Sequence, residues 1–155
     1  MATQNQFSYF KGIYDEENAR QGSLQDRAKY YLSLITFYSA FILFAAQNAK
    51  PDTFVLKILF VLIIVLMLVA FLLSLLSIRV SKYEVASDPE QIIHHFGKTE
   101  QADGDFFNER IADYTIAYEH NSKVNDSKAH QLAFAGYLLL AGILLHAVYI
   151  LLKVT

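Results

Sequence analysis

The chain has 155 residues, 54% of them hydrophobic and 18% charged, with a net charge of −2 and no cysteine. Bases interleaved with acids exclude a binder of nucleic-acid polymers, which needs a concentrated basic face. The missing thiols exclude disulfides, thiolate metal sites and a cysteine nucleophile.

The distribution says more than the averages, because charge nearly vanishes around 30–47, 54–78 and 132–152 while most acids and bases lie between these stretches. The expected fold is all-α, with three transmembrane helices and cytoplasmic helical extensions that form a stalk or small bundle. A cleavable leader is not expected, since a mixed-charge stretch with Asp15, Glu16, Glu17 and Asp26 precedes the first apolar run. Residues 1–29 therefore read as cytoplasmic N-terminal helices. A short helix over 14–20, with acids in its first turn, is set off by Gln21-Gly22. Ser23 followed three residues on by Asp26 resembles a capping box, so a second helix starts near Leu24 and runs into the first span, 30–47.

The turn from Asn48 to Asp52 holds Pro51, which disfavours helix at Lys50, and Asp52, a suitable N-cap for the next helix. The second span, FVLKILFVLIIVLMLVAFLLSLLSI at 54–78, exceeds the roughly 20 residues needed to cross a bilayer. Spans 30–47 and 54–78 make a transmembrane hairpin, with Lys57 snorkelling toward headgroups.

The segment 79–131 reads as cytoplasmic and helical. Pro89 to Gly97 carries the start and stop signals of a short helix capped by Ser87 or Asp88, and 99–104 is loop-like. From Phe106 no glycine intervenes before Gly136 and no proline follows, which predicts one helix through the third span, 132–153. Its part before the span would extend about 37 Å. Phe107, Ile111, Tyr114, Tyr118, Asn121, Asn125 and Leu132 fall on one stripe at three- and four-residue steps. The stripe fits packing on α-helical residues Leu24, Ala28 and Tyr31; its two amides fit register control or a polar ligand. Near the span ends, Arg20, Arg27, Lys29, Arg79, Lys82, Lys123 and Lys128 stand against Lys50 and Lys153. The N-terminus is thus expected inside a cell membrane and the C-terminus outside.

No metal site is expected, because His94 and His95 are adjacent and point apart on a helix, and no histidines form a His-x-x-x-His pair. Glu109 with Asp113 reads as a solvated polar face. No nucleophile elbow, phosphate loop or dinucleotide fingerprint is present, so neither an enzyme nor a cofactor is expected. Within the first span, Ser33, Thr36, Ala40 and Gln47 share a stripe that suits either helix packing or the lining of a pore. The third span carries Ala135, Gly136, Gly142 and, toward its outer end, His146. Three spans are few for a conduit, so a pore implies a homo-oligomer.

The stretches EHNSKVNDSKAHQLAFAGYLLLAGILL (119–145) and NARQGSLQDRAKYYLSLI (18–35) resemble the small transmembrane effectors of bacterial Pycsar antiphage systems and the related SLATT proteins. The resemblance implies an inner-membrane protein that is triggered by a nucleotide second messenger and impairs the membrane of an infected cell. It also implies sensing positions at Asn121, Asn125 and Lys128, with Arg27 and Lys29 opposite. Lys128 and Arg27 would meet a phosphate and the amides a base or ribose, although the same basic residues serve the positive-inside pattern. The 50 or so residues between spans two and three are too few for a separate recognition domain. A cytoplasmic partner protein is therefore the other expected source of the signal, touching the stalk and the 91–97 helix with its His94, His95 and Phe96. The competing reading of the whole chain is a membrane anchor or scaffold that recruits a cytoplasmic enzyme and conducts nothing.

Overall fold

A computed structural model describes residues 3–48, 53–79, 83–85 and 103–154. Three helices and no strand occur among them: α1, Gln4–Asn48; α2, Phe54–Ile78; and α3, Asp103–Val154. The expected helix after Pro89, with its His94, His95 and Phe96, lies outside the described residues.

Where the helices begin follows from local chemistry. The hydroxyl of Thr3 accepts from the Gln6 amide at 3.4 Å while Gln6 Oε1 accepts from the Thr3 N–H at 2.9 Å, a reciprocal capping box. It starts α1 some twenty residues before the Ser23–Asp26 pair that the sequence suggested. The expected break at Gln21-Gly22 is absent, since α1 is unbroken from 4 to 48. A glycine within a helix costs only about 1 kcal/mol relative to alanine, which a helix this long absorbs. The cap of α2 is Thr53, whose hydroxyl accepts from the Leu56 amide at 3.3 Å, rather than Asp52. Asp103 and Gly104, expected in a loop, open α3.

The chain divides into two units, Met1–Ser23 with Val80–Ser127 and Leu24–Arg79 with Lys128–Thr155. In the second unit the buried positions repeat every 3.5 residues on every helix. They are Leu24, Ala28, Ile35 and Ile42 on α1, Leu56, Ile63, Met67, Ala70, Ser74 and Ser77 on α2, and Lys128, Leu132, Ala135, Leu139, Gly142, His146 and Tyr149 on α3. Alternating three- and four-residue steps keep one seam of each helix facing its partners, as in a left-handed coiled coil. Contacts fix the directions. The Tyr38 hydroxyl bonds His146 Nδ1 at 2.7 Å, and a Cβ on Gly136 would meet the Tyr31 hydroxyl, so α1 and α3 ascend together. Phe60 packs on Tyr149 at 5.9 Å and Met67 reaches Gly142, so α2 descends against them.

Two helices, α2 and α3, contain stretches long and apolar enough to cross a membrane, where the sequence suggested three. The apolar part of α1 is the shortest of the three and is interrupted by Ser33, Thr36 and Ser39.

The first unit is built differently. Phe7 packs on Phe107 and Tyr114 at 5.6 and 5.8 Å, and Tyr14 on Tyr114 at 5.3 Å. Buried Arg110 lies 5.5 Å from the Tyr114 ring centre and pairs with Asp113 at 3.3 Å. Phe107 and Tyr114 of the stripe on α3 thus meet the N-terminal aromatics of α1, and only its last residue, Leu132, meets the expected Leu24, Ala28 and Tyr31. Those three pack with Leu132 and Ile78 in the second unit.

Candidate functional site

Asn121 and Asn125 stand one turn apart on α3, and both are fully buried. An amide in such a place must find partners, because an unpaired buried donor or acceptor costs about 1–3 kcal/mol. Each finds them on a different part of the chain.

Asn121 grips a backbone. Its Oδ1 accepts from the Glu84 N–H and its Nδ2 donates to the Glu84 carbonyl, both at 3.0 Å. This is the pairing a neighbouring strand would make, supplied by one side chain to the non-helical segment 83–85. Asn125 joins two further groups. Its Oδ1 accepts from the Tyr83 hydroxyl at 2.8 Å, and its Nδ2 donates to the Glu17 carbonyl at 3.0 Å and to Glu17 Oε1 at 2.7 Å. Both N–H groups of Asn125 are therefore committed.

Glu17, itself 7% exposed, also accepts from Arg20 at 3.3 Å, and Arg20 reaches Asp126 at 2.7 Å. The Asp126 hydrogen bond is the largest cause that lifts the Arg20 pKa above its already high ordinary value. Burial, and then the Glu17 charge, raise the Tyr83 phenol, which keeps its proton in place as a donor. Six side chains thereby tie α1, α3 and the segment that follows α2 into one polar node.

The other expected sensing residues fall in the second unit. Lys128 is 4% exposed at a seam position, and burial lowers its pKa. Arg27 and Lys29 are exposed, with Lys29 paired to Asp26 at 3.1 Å. Of the pore-lining candidates, Ser33, Thr36 and Ala40 are exposed, and the side chain of Gln47 lies outside the described residues. His146 is enclosed by Tyr38, Phe41 and Tyr149, with ring centres 5.5 to 6.1 Å away.

A cavity in the first unit, of about 190 Å³, is lined by Phe10, Ile13, Tyr114, Thr115, Tyr118 and Glu119. It is smaller than the roughly 300 Å³ at which ordinary ligand pockets begin. Its carboxylate is also the wrong sign for a phosphate.

The sequence reading missed Glu17, Arg20 and Tyr83. Glu17 left a signal, since it lies seven residues before Leu24 on the seam spacing of α1, where a carboxylate needs a buried partner. Tyr83 left none beyond being an aromatic residue shortly after a span.

Long apolar helices packed by a 3.5-residue seam in one unit, and a polar node closed by hydrogen bonds in the other, define an all-helical protein of the membrane-associated class. The family described as the Pycsar effector protein domain matches residues 27–153, and the chain belongs to that family. It is a membrane-associated effector of antiphage defence, of a kind tied to cyclic-nucleotide signalling. No curated protein and no solved structure matches the chain. Tyr83, Asn121, Asn125 and Asp126 lie inside the family match; Glu17 and Arg20 precede it.

Proposed function

We propose that the chain is an oligomeric inner-membrane effector that crosses the bilayer three times, stays closed while the polar node is intact, and opens a pore or disrupts the membrane when the node is released. The passes are 30–47 on α1, α2, and 132–152 on α3. The N-terminus and the first unit are cytoplasmic, and the C-terminus is outside. Parallel α1 and α3 with antiparallel α2 is the order that three successive passes require. The excess of lysine and arginine on one side gives the orientation. The protein performs no catalysis of its own.

The observation that carries this reading is the grip of Asn121 and Asn125 on Tyr83 and Glu84, just beyond the end of α2 at Ile78. A segment so close to a membrane helix, held by a few breakable hydrogen bonds, suits a two-state element that a signal can bias. The trigger, a cyclic nucleotide or a partner protein that reports it, acts on the first unit. The amides are already committed, so the trigger works by replacing their partners. The small acidic cavity favours a partner protein as the immediate contact.

Induced expression in cells that carry the signalling enzyme, read with a membrane-potential dye during phage challenge, tests the proposal. Depolarisation that depends on both trigger and effector is expected. An unchanged potential at matched expression would establish the scaffold reading instead.

A further inference from the structure

The outward surface of the second unit is not uniform. On α2 beyond Lys57 it is hydrocarbon, as at Val61, Val65, Leu68 and Leu72, each 47–60% exposed. On α1 the outward face carries Ser33, Thr36 and Ala40, all exposed, and α1 lacks the apolar content that lets α2 and α3 stand in lipid. Lipid gives no driving force for burying more hydrocarbon, so helices associate there where small and hydroxyl-bearing residues permit close approach. The side of α1 is where this unit needs a protein neighbour.

Shape agrees with that. Thr36, Ser39 and Ala40 of α1 face Ile64, Met67 and Phe71 of α2 across an open groove of about 480 Å³. On α1, about 120° around the helix from the groove at 3.6 residues per turn, Phe37, Phe41 and Phe44 form an exposed aromatic ridge. Phe37 is 75% and Phe44 65% exposed. Groove and ridge run along the same stretch of one helix, so copies can join at one depth in the membrane.

We infer that the α1–α2 groove of one copy seats the Phe37–Phe41–Phe44 ridge of a second copy of this chain. Because the two surfaces differ, the contact is heterologous, and repeating it builds a closed ring when the rotation closes. Thr36 and Ala40 then lie between copies. This inference rests on the proposed membrane passage and oligomer, and its test reads assembly alone.

The native chain has no cysteine, so paired cysteines report one contact cleanly. Copies with Phe37→Cys and copies with Ala40→Cys are expressed together in membranes and oxidised. A disulfide needs Cα atoms within about 7 Å. The mixture is expected to give a band at twice the 17.6 kDa chain mass, and neither variant alone nor Phe37→Cys with Val61→Cys on the lipid face of α2 should. In nanodiscs, Ala40→Trp, which fills the groove, is expected to reduce the native multiple to a single copy. An acyl chain in the groove predicts no cross-link in any mixture; that result, an equal band from Ala40→Cys alone, or an unchanged mass for Ala40→Trp overturns the inference. Cross-links without depolarisation would instead count against the proposed function.

Discussion

Asn125 makes three hydrogen bonds in the polar node, to Tyr83 and Glu17. Replacing it by Leu preserves bulk and removes three hydrogen bonds, one from the Tyr83 hydroxyl and two to the Glu17 carbonyl and carboxylate, of which the carboxylate keeps Arg20. The expected loss is about 1–3 kcal/mol for each buried group that finds no water. Tyr83→Phe removes one donor and should cost about 1 kcal/mol. Thermal unfolding in mild detergent checks both, and the order Asn125→Leu worse than Tyr83→Phe is the diagnostic result. Lys128 gives the pH test. Burial lowers its folded pKa below the ordinary 10.5, so between the two values the unfolded chain binds more protons than the folded one. Stability therefore rises with pH through that window and is lowest, by the full penalty, below the folded value. A profile taken from neutrality toward 10.5 should climb for the native chain and lose that climb in Lys128→Met. The Tyr83 phenol acts only above its ordinary value of 10.0, and in the opposite sense, because its folded pKa is raised.

At the scale of elements, glycines separate tolerated positions from tight ones. A Cβ on Gly22 meets nothing within 4 Å and the residue has no positive φ, so Gly22→Ala should stabilise α1 by about 0.5–1 kcal/mol. On Gly142 a Cβ would sit 2.8 Å from Met67 Cε, the movable end of a flexible side chain. Gly142→Ala should be near neutral, whereas Gly142→Leu should force α2 from α3 and lower the melting temperature sharply. What the sequence disclosed follows the same physics. Phe54–Ile78 was legible to the residue, because 25 nearly uncharged residues have one use and charge or proline stands at each side. The start of α1 was not, because Thr3–Gln6 and Ser23–Asp26 both carry cap-like spacing and only the fold decides which cap is used. Asn121 and Asn125 stood out as amides on an otherwise apolar stripe, but their partners did not. Glu84 contributes backbone, which no side-chain pattern reveals, and Glu17 lies 108 residues from Asn125.

For the whole molecule, the two units are threaded by the same chain three times, through α1, through the stretch after α2, and through α3. The node gathers one residue or more from each of these passages. Under the proposed topology it stands where a signal received outside the membrane can reach each membrane pass through the backbone. The proposed effector is closed by default and opened by loss of these bonds, so weakening them should mimic the trigger. The direct measurement is membrane potential in cells that make the Asn121→Ala, Tyr83→Phe double variant without signalling enzyme or phage, at native-like membrane levels. Depolarisation without any trigger, absent in cells making the native chain, is the predicted result. A well-inserted double variant that stays silent until triggered, and then responds as the native chain does, would contradict the account.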